Sequence, residues 1–147
     1  MRQLMFIGPT ASGKTSLVNR LIDDSFVRTT NTVIMDCRIW QRAATQEQIL
    51  VYDMGCPTEL IVAGLLPAID VVFVVFDSTK VDSYIQAVNM LESVRNIRPD
   101  QLCCLLANKA DRGTLISSPQ GQTKYFQVSA YQPSYGSINY VANMMLA

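Results

Sequence analysis

Short apolar runs alternate with amphipathic and polar stretches along this chain. Strands are predicted near residues 3–7, 48–52, 71–76, 102–107 and 126–128. The runs at 71–76 and 102–107 are continuous, which is typical of central parallel strands covered by helices on both faces. Segment 32–40 mixes β-branched and polar residues as an edge strand does, and it could form a hairpin with 46–52 through residues 42–45.

Apolar residues recur at helical spacing between these strands. Helices are predicted at about 14–23, 82–96 and 136–146, with a weaker signal around 58–66. Asp82 or Ser83 is the expected N-cap of the second helix, and Ser137 lies at the start of the last. Polar segment 112–122 contains Gly and Pro breakers and is predicted to be a loop. We expect one α/β domain over residues 1–147, with a mostly parallel six-stranded sheet, one antiparallel edge strand and helices on both faces.

Composition narrows the functional classes. Hydrophobic residues make up 49% of the 147 and charged residues 16%, which suits a sheet buried on both faces. Twelve basic residues balance twelve acidic ones, so no basic surface favours nucleic acid or an anionic membrane. The absence of histidine excludes Ser-His and Cys-His nucleophiles.

The four cysteines, at 37, 56, 103 and 104, lack zinc-site spacing. We expect them to be reduced and mostly buried. The chain enters its first strand within a few residues of Met1, and no apolar run is long enough to span a bilayer. These features predict that the protein is located in the cytoplasm, in the cytosol.

Residues 8–15 read Gly-Pro-Thr-Ala-Ser-Gly-Lys-Thr, which matches the P-loop pattern G-x-x-x-x-G-K-[ST] between an apolar run and a predicted helix. Gly8 and Gly13 allow a tight turn whose N–H groups point at one anion, and the helix dipole adds to that attraction. Lys14 is predicted to reach the β- and γ-phosphates, and the Thr15 hydroxyl to bind Mg²⁺. The pattern indicates a phosphate-binding site.

A second motif, Asn108-Lys109-Ala110-Asp111, follows the buried run at 102–107. The Asp111 carboxylate can accept hydrogen bonds from both N1–H and the exocyclic amine of guanine, whereas adenine offers no such pair. Asn108 can brace the P-loop and bond the base, and the aliphatic stem of Lys109 can lie over the ring. Guanine is therefore the predicted base.

With these motifs in order, the chain resembles the Ras superfamily of small GTPases, and most of all its Rab branch, over nearly its full length. Ser129-Ala130 matches the family loop that touches guanine through backbone N–H groups. Asp77-Ser78-Thr79, with Ser83, resembles the D-x-T-x-x-x-S segment of the family. The resemblance implies a P-loop G domain, here with a shortened fourth-helix region.

Two further positions follow from this resemblance. Phe26 stands where the family places an aromatic residue against guanine, although a core aromatic is the alternative reading. Thr32 stands at the switch threonine, with Asp36 four residues later as in Rab proteins, while Thr29 and Thr30 are competing candidates.

The resemblance implies a domain that binds GTP or GDP with Mg²⁺ and meets effector or scaffold proteins through its switch regions. An exchange factor and an activating protein are also implied, and nucleic acid is not. The implied magnesium ligands are Thr15, Thr32 and Asp53, and the implied catalytic residues are Lys14 and Thr32. The implied nucleotide contacts are Thr10, Ala11, Ser12, Gly13, Lys14, Thr15, Ser16, Phe26, Gly55, Asn108, Lys109, Asp111, Ser129, Ala130 and Tyr131.

The second switch departs from the family pattern D-x-x-G-Q, whose glutamine orients the attacking water. This chain has Asp53-Met54-Gly55-Cys56-Pro57. Aligned without a gap, Cys56 replaces the glycine and Pro57 the glutamine; with one deletion, Gly55 keeps its role and Cys56 replaces the glutamine. Neither side chain positions water as an amide does, so slow hydrolysis is predicted.

Smaller departures lie elsewhere. Thr10 stands where many Ras proteins have glycine, Tyr131 replaces the lysine that packs over guanine, and the segment from 111 to 129 is too short for the usual fourth helix. The C-terminus carries no cysteine for prenylation, so either a lipidated tail is missing from this sequence or the protein is not lipid-anchored.

These features leave three competing hypotheses for the function of the protein. The first is a GTP/GDP switch in membrane traffic or related transport. The second is a catalytically weak G-domain subunit that acts as a scaffold in a stable complex, for example one like those of intraflagellar transport. The third is a P-loop kinase for a small molecule, which has no need for the motif at 108–111.

Overall fold

The computed structural model describes residues 1–24, 26, 35–55, 59–116 and 123–147, with the backbone alone at 59 and 60. Its strands are β1 (Gln3–Ile7), β2 (Met35–Gln41), β3 (Gln48–Met54), β4 (Val71–Asp77), β5 (Cys103–Asn108) and β6 (Lys124–Gln127). Its α-helices are α1 (Lys14–Asp23), α2 (Glu59–Leu65), α3 (Val81–Ile97) and α4 (Ile138–Met145). Short 3-10 turns cover Leu66–Ala68, Ala110–Arg112 and Pro133–Tyr135.

The six strands form one sheet in the order β2-β3-β1-β4-β5-β6. β2 runs antiparallel to β3, and every other neighbouring pair is parallel. The β2–β3 hairpin closes where the N–H of Arg42 donates to the Glu47 carbonyl at 2.8 Å. The predicted mostly parallel sheet with one antiparallel edge strand is confirmed. Positions 32–34 of the predicted edge strand lie outside the described residues.

Alternate strand residues face two separate cores, because successive side chains of a strand point to opposite sides of the sheet. Leu4 and Phe6 lie in the core that α1 and α4 cover, and Phe6 stacks on Phe73 with ring centroids 4.9 Å apart. Met5 and Ile7 lie in the core that α2 and α3 cover. Every residue of β4 is buried, which explains its uninterrupted apolar run. The predicted helices on both faces are confirmed.

The predicted cap of α3 is wrong. α3 begins at Val81, one residue before the prediction, and its N-cap residue is Lys80, which makes no side-chain capping bond. The Ser83 hydroxyl instead accepts a hydrogen bond from the N–H of Asp77 at 2.9 Å, because α3 packs beside the end of β4. At α4 the prediction holds, since Ser137 is the N-cap and accepts from the N–H of Tyr140.

Some element ends also differ from the predictions. β6 covers 124–127 rather than 126–128, so Val128 follows the strand, and its N–H donates to the Ala107 carbonyl at 2.9 Å. Within the predicted loop, residue 112 ends a 3-10 turn and residues 113–116 form no helix or strand, while 117–122 lie outside the described residues.

The described cysteines are all free thiols. Cys103 and Cys104 are buried, and burial raises their pKa to about 11 and about 12. Cys37 is exposed on the edge strand, so the expectation of buried thiols fails at that position. Within the described ranges, no helix has the length and apolar character needed to cross a bilayer.

Candidate nucleotide-binding site

The loop from Gly8 to Gly13 joins β1 to α1 at the carboxyl end of the parallel strands, where ligands bind in open α/β sheets. A Cβ added at Gly8 would lie 2.1 Å from the carbonyl oxygen of Val75 in the neighbouring strand. Gly13 has φ +88°, and a Cβ there would lie 2.3 Å from Nδ2 of Asn108. Both glycines are therefore required by close packing, as the P-loop pattern predicts.

The residues between these glycines differ in exposure. Thr10 and Ala11 are exposed, and Ser12 is 1% exposed. The Ser12 hydroxyl has no hydrogen-bond partner among the residues that the structure describes. Ser16 lies in the first turn of α1, directly after the phosphate loop.

Lys14 is buried at the start of α1, at 7% exposure. Its ammonium donates to the carbonyls of Gly8 and Pro9 at 3.0 and 3.1 Å. Burial lowers its pKa, and the negative charge of Asp53 acts in the opposite direction. Within the described part of the chain it forms no ion pair, so this buried cation fits an anionic ligand such as a diphosphate.

Two of the three predicted magnesium ligands are adjacent. The Thr15 hydroxyl donates to Oδ2 of Asp53 at 2.6 Å, and Asp53 is 2% exposed near the end of β3, paired in register with Phe6 of β1. Oxygen donors of this kind are those that Mg²⁺ prefers, so the pair fits the ion. Thr32, the third predicted ligand, lies outside the described residues.

The second switch is described only at its start. Gly55 directly follows β3 and is half-buried. Cys56 and Pro57 lie outside the described residues, so the choice between the two alignments stays a sequence prediction.

Asn108 connects the phosphate loop to the base-reading loops. It is 2% exposed at the end of β5, and its Nδ2 donates to the carbonyls of Ser12 at 3.0 Å and Gly13 at 3.4 Å. Its Oδ1 accepts from the N–H of Ala130 at 3.4 Å. The predicted bracing of the P-loop by Asn108 is present in the structure.

Lys109 lies across the same loop. It adopts the left-handed conformation, with φ +63°, and its ammonium donates to the Ala11 carbonyl at 2.9 Å and to Oδ2 of Asp77 at 3.1 Å. Asp77 also accepts from the N–H and the hydroxyl of Thr79, at 2.9 and 2.6 Å. Burial acts to raise the pKa of Asp77, but the bonds from Thr79 and Lys109 outweigh it and lower that pKa. Asp77 is therefore ionised, and its negative charge holds the Lys109 ammonium in place.

Asp111 and Ser129 come together from two loops. Asp111 lies in the 3-10 turn after β5, and its Oδ1 accepts from the Ser129 hydroxyl at 2.7 Å. Ser129 is buried, and its N–H donates to the Gly136 carbonyl at 3.0 Å. The structure thus brings the predicted base-reading carboxylate to the predicted backbone loop.

Arg20 is a positioning residue that sequence reasoning missed. Its Nε donates to the Ala130 carbonyl at 2.8 Å, and its NH1 donates to the Asp24 carbonyl at 3.2 Å. It therefore ties α1 to the base-reading loop across 110 residues of chain. Its only sequence signal is a basic residue in the last turn of a helix, which is a common helix-end feature.

Phe26 and Tyr131 form an aromatic pair beside these groups. Their ring centroids are 5.2 Å apart, and the ring planes meet at 73°. Phe26 is partly buried and packs against the core that α1 and α4 cover, while Tyr131 is 59% exposed. Phe26 thus packs on the core and also contacts Tyr131, and its contact with guanine stays a prediction.

A model of the Ras family matches residues 3–142. The chain belongs to the Ras family. It is therefore a GTP-binding protein of the small-GTPase type. Ras-family proteins generally bind GTP or GDP with Mg²⁺ and interact with effectors, exchange factors and activating proteins. A comparison with curated protein sequences finds no match.

Proposed function

We propose that this Ras-family protein is a cytoplasmic, Rab-like guanine-nucleotide switch with slow intrinsic hydrolysis, acting in intracellular membrane traffic or transport. One observation carries the guanine assignment: the Asp111 carboxylate meets Ser129, and Asn108 holds that region against the phosphate loop at 3.0 Å. The residues that would bind diphosphate and guanine are thus joined into one site, while the departures at Cys56 and Pro57 affect hydrolysis.

The chain's own residues divide the work of binding. The N–H groups of the phosphate loop and the Lys14 ammonium would hold the phosphates, and Asp111 would accept the two donor groups of guanine. Thr15 and Asp53 would hold Mg²⁺, which would supply positive charge that neutralises the phosphates. Cys56 and Pro57, which stand at the family's glutamine position in the two alignments, both lack the amide that orients the attacking water.

Asp111→Asn tests the base site. An amide cannot accept from both guanine donors, so we expect the affinity for GDP to fall at least about tenfold while the weak affinity for ADP changes little. Isothermal titration of both nucleotides measures this preference. Asp82→Asn, an exposed carboxylate on α3, is the matched control and should retain the wild-type preference. An unchanged GDP preference in the Asp111 variant would contradict the base-site assignment.

Single-turnover hydrolysis of GTP tests the slow-enzyme proposal. We expect a rate below that of a relative whose second switch carries the glutamine, measured with both proteins under the same conditions. Equal rates would show that another group orients the water, and the slow-hydrolysis part of the proposal would fail. Direct assay of phosphate transfer to small-molecule acceptors covers the kinase alternative.

The second candidate is a scaffold subunit that does not switch. The altered sequence from Asp53 to Pro57 favours it, because the family's γ-phosphate sensor lies there. Hydrogen exchange of residues 35–55 in GDP and in a non-hydrolysable GTP analogue separates the two candidates. A switch changes its protection between the two nucleotides, whereas a scaffold keeps the same protection in both.

A further inference from the structure

The base-reading loop, residues 129–136, lies between β6 and α4 and is closed by bonds within itself. The N–H of Ser129 donates to the Gly136 carbonyl at 3.0 Å, and the N–H of Gln132 donates to the Ser129 hydroxyl at 2.8 Å. β6, the strand that leads into the loop, has only four residues and lies at the edge of the sheet. A loop on so short an edge strand needs bonds to other elements to keep its position.

Arg20 makes the shorter of two side-chain bonds to Ala130 in this loop. Its Nε donates to the Ala130 carbonyl at 2.8 Å, whereas Oδ1 of Asn108 lies 3.4 Å from the Ala130 N–H. Ala130 is 2% exposed, and the Arg20 side chain is 16% exposed. A hydrogen bond from a charged donor is stronger than a neutral one, and burial shields it from water. The Arg20 bond is therefore the stronger of the two.

The end of α1 holds the Arg20 guanidinium in place. Its Nη1 donates to the Asp24 carbonyl at 3.2 Å. Asp24 ends the helix in the left-handed conformation, at φ +51°, and its N–H donates to the Arg20 carbonyl at 3.1 Å. A guanidinium that is already bonded on one side loses little side-chain freedom when it bonds to a second group. The helix end therefore orients Arg20 for its bond to Ala130.

α1 carries both this bond and the groups predicted to hold the phosphates. Lys14 begins the helix, and Arg20 lies about 9 Å further along its axis. Because a helix is rigid over this distance, the bond to Ala130 fixes the base-reading loop relative to the phosphate loop. A nucleotide that contacts both loops is released faster when one of them opens more often.

We infer that Arg20 is a positioning residue that sets the lifetime of the bound nucleotide, because it holds the base-reading loop closed from α1. This inference rests on the proposed guanine-nucleotide function and adds the control of release to it. Loss of a hydrogen bond from a charged donor changes an equilibrium constant by at least about tenfold. Changes of this kind within one binding site act mainly on the dissociation rate.

Dissociation of a fluorescent GDP analogue, chased with excess GDP, tests this inference. Arg20→Ala should release the analogue at least about tenfold faster than wild type, while its association rate stays within about threefold. Arg20→Lys keeps the charge and the apolar stem but lacks the planar fork that reaches two carbonyls, so release should be at least about threefold faster. This variant carries the test if the alanine variant does not fold.

Arg38→Ala is the matched control. Arg38 also bonds to α1, at Asn19 and Asp23, but it lies on β2, at the opposite edge of the sheet from β6. Its loss should leave release within about twofold of wild type. Inorganic pyrophosphate has no base and reports on the phosphate loop, so all four proteins should bind it equally in isothermal titration.

Three results would overturn the role of Arg20 and leave the proposed function intact. The first is wild-type release rates in the folded Arg20 variants. The second is equal acceleration by Arg38→Ala, which would assign the effect to α1 as a whole. The third is a parallel loss of pyrophosphate binding in the Arg20 variants, which would show general damage to the site. Wild-type protein that binds pyrophosphate but not GDP would instead refute the proposed function and, with it, this inference.

Discussion

Asn108→Ala tests whether one buried side chain couples the phosphate loop to the base-reading loop. The wild-type amide donates to the Ser12 carbonyl at 3.0 Å and to the Gly13 carbonyl at 3.4 Å, and it accepts from the Ala130 N–H at 3.4 Å. Alanine removes all three contacts from a position that is 2% exposed. The backbone groups that bonded to the amide then lie beside a small cavity.

The expected magnitude follows from these distances. A neutral hydrogen bond contributes about 1 kcal/mol net, and a buried polar group left unpaired costs about 1–3 kcal/mol. The bond to the Ser12 carbonyl has ordinary length, while the two contacts at 3.4 Å are long and contribute less. We therefore expect the free energy of unfolding to fall by about 2–3 kcal/mol, which lowers Tm by about 5–10 °C in a domain of this size.

Urea unfolding of nucleotide-free protein measures this loss. Trp40, the single tryptophan, is 4% exposed in the core, so its fluorescence reports global unfolding. Asn89→Ala, at an exposed position of α3, is the matched control and should change stability by no more than about 0.5 kcal/mol. Equal urea midpoints for the Asn108 and Asn89 variants would refute the coupling.

Four further variants address three separate features. Glu47→Gln should show a pH-dependent loss of stability in urea titrations, because two arginines hold the pKa of Glu47 at about 2 against an ordinary 4.5. The stability difference between wild type and the variant should be full above about pH 4.5 and should disappear as the pH falls towards 2. Gly8→Ala should lower the free energy of unfolding by more than about 2 kcal/mol in the same assay, because its Cβ would lie 2.1 Å from the Val75 carbonyl oxygen. The Cβ of Gly64→Ala in α2 would meet nothing within 4 Å, so this variant should raise the free energy of unfolding by up to about 1 kcal/mol. Lys14→Met should weaken GDP binding at least about a hundredfold by titration, because it removes a charge-assisted hydrogen-bond donor to the phosphates. The variant should still fold, because the substitution also removes a cation that is costly to bury.

Each of these expectations has a contradicting result. A stability difference for Glu47→Gln that is constant from neutral to acid pH would exclude the arginine contacts as its cause. Equal stability of the two glycine variants would show that the phosphate loop can move away from β4. Retained GDP binding by Lys14→Met would place the phosphates elsewhere.

The sequence by itself determined the order of the elements, and it predicted the chemistry of the two motifs. Continuous apolar runs gave β4 and β5 to within a residue or two, because strands buried on both faces must be apolar throughout. The spacing of Gly8, Gly13 and Lys14 indicated a phosphate site because few other residues permit that turn. Asp111 was predicted as the base-reading residue because its carboxylate has a specific match in guanine.

Tertiary structure alone decided which distant groups meet. The bond from Arg20 to the Ala130 carbonyl joins residues 110 positions apart, and Lys109 meets Asp77 across 32 positions. No local pattern encodes such contacts, because they depend on how strands align and helices pack. The same reason explains the mistaken cap at Ser83. Its local sequence suits a helix start, but α3 packs beside β4, and the Ser83 hydroxyl accepts a hydrogen bond from the N–H of Asp77 instead.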